Sequence, residues 1–273
     1  MKQALLKIIN IVAAIIIVTI FLFPFIWMIM TSVKTFSETL VFPPRWIPED
    51  FQWENYLIAW NSGPFLRYTM NSIIVTLAII VFQLITVIPA AYAYARFKFR
   101  GRGILFTLTM STMMIPAQLI FLPVYLQLSD WGLLDTLWAL ILPFASSAFG
   151  IFLIRQAFMQ IPEELLEAAR LDNTPEWKII LKIMVPMSKP VIITFILFSF
   201  VAHWNDYFWP LVMTTTDHAR TLPLGIAKLR EVEGMTAWHI LMAGNVMLVI
   251  PILVVFFFTQ KHIIRAFVYS GVK

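Results

Sequence analysis

The sequence predicts an all-α integral membrane protein with six transmembrane helices and both termini cytoplasmic. Three observations predict it. Hydrophobic residues make up 60% of the chain and charged residues 13%, against about 45–50% and about 25% in a soluble domain. Mean hydropathy is +0.83. The apolar residues gather in long runs almost free of charge, most of them near or above the roughly 20 residues that cross a bilayer as a helix.

The first run, residues 8–33, lies between Lys7 and Lys34. It is longer than the core of a secretory signal, about 7–15 residues, and no small-residue cleavage site closes it, so it is expected to be a retained span. A polar loop to Arg67 is punctuated by Pro43, Pro44, Pro48 and Pro64. The second run covers 68–95. It ends in RFKFRGR at 96–102, four bases without an acid. The third run is 104–127, followed by a short turn with Asp130 and Asp135. The fourth is 136–154. A charged interruption occupies 155–190. The fifth run is 191–209, with His203 and Asp206 near its far end. After another polar loop the sixth covers 237–260. The expected segments are therefore 1–67 (first span and outer loop), 68–260 (core, with the loop at 155–190) and 261–273 (tail).

Basic residues orient the spans. Fourteen of the 20 Lys and Arg fall on the side that holds the N-terminus and residues 155–190, which makes that side cytoplasmic under the positive-inside rule. Trp27, Trp131, Trp138, Trp204, Trp209 and Trp238 fall near the opposite ends of spans, where indole suits the interface. Trp177 alone lies on the inner side. The charges sort by membrane side rather than forming one basic surface, so the net +5 does not point to nucleic acid. The chain has no cysteine, hence no thiolate chemistry. No glycine is followed by lysine, so no phosphate-binding loop is present.

Residues 161–190, IPEELLEAARLDNTPEWKIILKIMVPMSKP, read as two short helices. Pro162 suits the first helical position, and Glu163 and Glu164 suit the first turn. Asn173 is expected to adopt a left-handed conformation just past Asp172. Thr174 can cap a second helix with Pro175 at its first position. Pro186 and Pro190 mark its end and the start of the fifth span. Ile161, Leu165, Ala168 and Asp172 share one face.

Within this stretch, Glu167-Ala168-Ala169, then Asn173, then Ile183, Val185 and Pro186 match the spacing E-A-A, three residues, Gly, nine residues, I-x-L-P. This resembles the EAA signature of ABC importer membrane subunits, with Asn in place of Gly and Val in place of Leu. Pro43–Pro48 (P-P-x-W-x-P), Glu54–Tyr56 (E-N-Y), Asn71–Ser72, Trp204–Asp206 (W-N-D), Thr221–Gly225 (T-L-P-L-G) and the ending G-V-K look like the carbohydrate-uptake branch, and within it the shorter, maltose-type permease subunit.

The resemblance implies a type I importer permease fold in a prokaryotic cell (inner) membrane. It implies a second permease chain as heterodimer partner, two cytoplasmic ABC ATPase subunits that carry ATP and Mg, and an extracytoplasmic solute-binding protein. It also implies that the loop is a coupling helix, with Glu167, Ala168, Ala169, Arg170, Asp172 and Asn173 facing the ATPase. The chain itself would hold no cofactor and catalyse no reaction.

Other residues carry weaker expectations. The first four spans contain no Asp, Glu, Lys or Arg, whereas an ion-driven secondary carrier, the alternative, usually places ionisable groups at the midplane. Gln118 and Asn245 could line a solute path, with Asn205 and Tyr207 near its mouth, since amides and rings suit a sugar. His203 with Asp206 has helical spacing but lacks the further ligands of a metal site. The run 96–102 is expected to act as a topology anchor, with contact to anionic lipid or to a partner as the other reading.

Overall fold

The computed structural model describes residues 2–232 and 235–268. The G-V-K ending and the end of the tail lie outside the described residues. The chain is almost entirely helical. The exception is a two-stranded antiparallel ribbon, Glu231–Val232 with Met235–Thr236, a small correction to the all-α expectation. Cα proximity divides the chain into two compact units: Met1–Leu66 with Leu222–Pro251, and Arg67–Thr221 with Ile252–Lys273.

The first unit begins with α1 (Lys2–Ser32), whose most apolar 18 residues include none that is buried. At its end the chain is clamped. Asn55 donates through Nδ2 to the carbonyls of Ser32 and Lys34, both at 2.9 Å, and Tyr56 meets the Ser32 hydroxyl at 2.7 Å. Trp46 stands edge-on to Trp27 at 5.2 Å. The E-N-Y and P-P-x-W-x-P pieces thus secure the loop to the span. Helix α2 (Phe36–Thr39) opens with a capping box between Thr35 and Glu38, which satisfies its first N–H groups. Helix α3 is Glu54–Asn61.

The second unit is entered through α4 (Phe65–Arg96). The expected third span is broken. It consists of α5 (Arg102–Ser111), two 3-10 turns at Thr112–Met114 and Ala117–Leu119, and α6 (Phe121–Asp130). Pro116 explains the break. It lacks an N–H and disfavours helical backbone in the residue before it, and Ile115 is extended (φ −87°, ψ 115°). The fourth span is also broken, into α7 (Leu137–Ile141) with a 3-10 turn to Phe144 and α8 (Ala148–Met159), bent by 43°. Side chains on α4 satisfy the carbonyls freed at this bend. Gln83 donates to Phe144 O at 3.0 Å and Thr86 to Ala145 O at 2.9 Å.

Beyond α9 (Glu163–Leu171), α10 (Glu176–Ile179) continues through a π turn, Ile180–Met184, into α11 (Val185–Met187). Pro186 therefore lies inside this helical stretch and does not end it. The π turn just ahead accommodates its missing N–H. The stretch then turns by 83° into α12 (Lys189–Trp204). Next come α13 (Phe208–Met213), α14 (Leu222–Ala227) and α15 (Trp238–Val268). α15 continues past the expected span end at 260. Among the described residues three unbroken helices are long and apolar enough to cross a membrane: Leu6–Ser32, Phe65–Arg96 and Trp238–Lys261. The two bent pairs raise this to five.

The core of the second unit packs Val87, Ala91 and Tyr92 of α4 against Ile151, Ile154 and Phe158 of α8, Phe195 of α12 and the loop residues Leu166, Ile179 and Met184. The polar loop is thus built on the spans and not suspended from them.

Candidate functional site

The site is the loop from 161 to 187. Its first helix, α9, has Glu163 and Glu164 in the first turn and Arg170 in the last, the arrangement that the helix dipole favours. Pro162 occupies the cap, one position earlier than expected. Leu166 is fully buried, which favours docking of the helix by about 1.5–3 kcal/mol relative to leaving it exposed. The helix ends in a Schellman motif. Thr174 N donates to Ala169 O at 3.0 Å and Asn173 N to Arg170 O at 2.9 Å, with Asn173 at φ 54°. This is the left-handed residue expected from the sequence. The Thr174 hydroxyl does not cap α10; Pro175 holds that place, without a side-chain bond.

Three side chains lock the two helices to each other and to α4. Arg170 Nε donates to Glu176 Oε1 at 2.9 Å. The Tyr92 hydroxyl donates to Glu176 Oε2, and Arg170 Nη2 reaches the Tyr92 oxygen at 3.4 Å. Burial pushes the Glu176 carboxyl up, but the bonds from Arg170 and Tyr92 outweigh it and hold the group below its usual range. The bond to Glu176 pushes the Arg170 guanidinium up. At the other end of α9, Arg96 donates to Phe158 O at 2.6 Å and to Ile161 O, and pairs with Glu163 at 3.3 Å. Arg96 is therefore a clamp for the loop.

Of the residues singled out from the signature, Glu167, Ala168, Asp172 and Asn173 are exposed, Ala169 is half-buried against the core, and Arg170 is engaged within the chain. Leu165, Ala168 and Asp172 form an exposed face, but Ile161 is buried. The sequence reading missed an exposed apolar set beside them: Leu171 (83% exposed), Trp177 (59%) and Leu181 (56%). Its one legible sign was Trp177, the lone indole on that side. Large exposed apolar groups beside charges mark interaction surfaces. Tyr92 and Glu176 carried no sequence signal as partners of Arg170.

The residues considered for a solute path lie on different elements. Gln118 is exposed in the 3-10 turn that interrupts the third span. Asn205 is exposed and folds back to Val201 O at 2.9 Å. Tyr207 is exposed between α12 and α13, and Asn245 is half-buried in α15. A polar cluster joins α4 to α12. Ser199 donates to Gln83 Oε1 at 2.6 Å, and His203 approaches Gln83 Nε2 at 3.4 Å and lies tilted against Phe144, 4.8 Å between ring centres. Asp206 accepts from Trp209 N at 3.3 Å. His203 and Asp206 thus have separate structural partners.

Apolar helices long enough to cross a membrane, carrying a two-helix loop exposed on one face, define a multi-pass membrane protein. The chain belongs to the family of binding-protein-dependent transport system inner membrane components, which matches residues 84–269. It is 34% identical to the probable ABC transporter permease protein YurM of Bacillus subtilis (strain 168), over 92% of this chain and 83% of that one. It is 30% identical to the arabinooligosaccharides transport system permease protein AraQ of the same strain, over 93% and 91%. A solved bacterial ABC transporter involved in the import of the acidic polysaccharide alginate superposes with a TM-score of 0.84 at 27% identity, covering 96% of this chain and 98% of its own. This chain is accordingly a permease subunit of an ABC importer, and the reading as a secondary carrier is set aside.

Proposed function

We propose that this permease moves a carbohydrate into a prokaryotic cell and is driven through the loop at 161–187 by a separate ATPase. The observation that carries the reading is the loop itself. Its inner side is tied to α4 through Tyr92 and Arg96. Its outer side leaves Glu167, Ala168, Leu171, Asp172 and Trp177 free. A partner that moves this face moves the span, which is how a distant binding event can bias a two-state element. ATP and Mg would reside on two ATPase subunits. A second permease chain would complete the path, and a solute-binding protein would deliver the sugar from outside. Six spans with both termini inside, the broken third span counted as one, agree with the basic-residue asymmetry. The oligosaccharide permeases among the relatives support the solute class.

The test is uptake into proteoliposomes holding the assembled complex and its binding protein. Labelled oligosaccharide should accumulate with internal ATP and persist when ion gradients collapse. Glu167→Lys should abolish this uptake and weaken ATPase association at unchanged membrane insertion. Wild-type uptake by that variant would refute the docking role.

A further inference from the structure

The run 96–102 is only partly explained by the fold. Arg96 is consumed by the loop, as described, with 7% of its side chain exposed. Phe97 and Phe99 rest on Tyr92 and Tyr94, at 5.4 and 6.3 Å between ring centres. Each remains 41% exposed. Lys98 between them and Arg100 after them are exposed. Arg102, at the start of α5, donates through Nη1 to Phe97 O at 3.1 Å.

A fifth base joins from α8, which packs on α5. The Arg155 guanidinium lies over the Phe106 ring, 4.2 Å from its centre, and its Nε donates to Tyr94 O at 3.1 Å. Phe106 stands one helical turn after Arg102 on α5, so Arg155, seated on the Phe106 ring, shares a helix face with Arg102. Among the described residues no carboxylate comes within ion-pair distance of Lys98, Arg100, Arg102 or Arg155.

Two guanidiniums on one face without an acid repel each other, and an anion between them relieves that repulsion. The planar fork of arginine matches phosphate oxygens in pairs. The surroundings narrow the anion further. Next along α5, Ile104 (70% exposed), Leu105 (49%) and Leu108 (57%) present an apolar face, and Phe97 and Phe99 border the bases. A free phosphate gains nothing from such a wall, whereas a phosphate attached to acyl chains does.

We propose that Arg102 and Arg155, flanked by Lys98 and Arg100, bind the phosphate of an anionic phospholipid in the leaflet that borders the 161–187 loop. The bound lipid neutralises the cluster and lines the base of α4 next to the Arg96 clamp. The site does not depend on which solute is carried or on the ATPase.

Native mass spectrometry of the full-length protein in detergent tests this without any variant. Phosphatidylglycerol should be retained at least about tenfold better than phosphatidylcholine of the same acyl chains, and millimolar inorganic phosphate should not displace it. Arg102→Gln with Arg155→Gln should reduce retention to the phosphatidylcholine level, and Arg102→Lys with Arg155→Lys should fall between. Equal retention of the two lipids by the wild type overturns the proposal, as does full retention by the double glutamine variant. Displacement by inorganic phosphate would make it a free-anion site. Unchanged lipid retention with loss of ATPase pull-down would make it a protein-docking surface. Either result also overturns it.

Discussion

Arg170 and Glu176 meet at 2.9 Å across the turn at Asn173, so the last turn of α9 and the first turn of α10 are held as one piece. Tyr92 adds the third corner from near the C-terminal end of α4. A loop joined in this way transmits displacement, because neither short helix can tilt without straining the bond to α4. Stiffness of the connection, more than affinity for a partner, is what these three residues supply.

Removing one corner should therefore uncouple the transporter before it unfolds. Tyr92→Phe deletes a hydrogen bond to a charged, half-exposed group, a loss of about 1 kcal/mol, which is roughly a fivefold shift in the population of the fixed loop. ATP hydrolysis by the assembled complex should continue, with less solute moved per ATP. Arg170→Ala should behave likewise and more severely. Equal loss of hydrolysis and uptake in Tyr92→Phe would place the residue in folding rather than in transmission.

Acidification should act through the same carboxylate. The Glu176 pKa is held below its unfolded value. Its contribution is therefore fully present above the ordinary carboxylate range and is lost as pH falls through the lowered folded value. Melting temperature of the purified protein, scanned from about pH 7 to about pH 3, should fall on the acid side. Glu176→Gln should start lower at neutral pH and flatten that part of the curve. A variant curve parallel to the wild type would assign the acid sensitivity to other groups.

Asn173 separates backbone from side-chain roles. At φ 54° it occupies a region that glycine enters freely and a β-branched residue enters at about 1–2 kcal/mol. Asn173→Gly should leave assembly and uptake unchanged. Asn173→Val should lower the melting temperature and weaken ATPase association. Loss of association in the glycine variant, at unchanged stability, would mean that the Asn side chain touches the partner.

The turn at Asn173 was legible because it depends on neighbours: a residue type that tolerates positive φ, placed after a helix whose acids and bases are ordered by the dipole. The broken third span was misread for the opposite reason. Residues 104–127 are apolar enough to cross a membrane, and hydropathy is blind to backbone continuity. Proline alone does not decide, since α1, α4 and α15 run through Pro24, Pro89 and Pro251. The Arg170–Tyr92 contact joins residues 78 apart in the chain, a pairing set by how α4 and the loop pack and carried by no local pattern. Likewise the Arg96 run showed its charge in the sequence, but only the fold distinguishes the clamp at Arg96 from the unpaired bases that follow.

The packing beneath the loop gives the last test. Gly150 lies where α8 meets α12, and a methyl added there would come within 2.5 Å of Phe195 Cε2 and 2.6 Å of Cζ. Phe195 is 2% exposed, so its ring has no solvent to swing into. Gly150→Ala should thus cost about 1–3 kcal/mol by overpacking, read as a lower melting temperature in detergent. Phe195→Leu alone should also destabilise, because it leaves a void next to a glycine. Together the two changes should cost less than their sum, since the methyl enters the space that the ring vacates. Strict additivity would mean that the helices relax apart at this crossing. The core that fixes Leu166 and Ile179 would then be softer than its burial implies, and the stiffness assigned to the loop would have to come from the Tyr92–Glu176–Arg170 bonds alone.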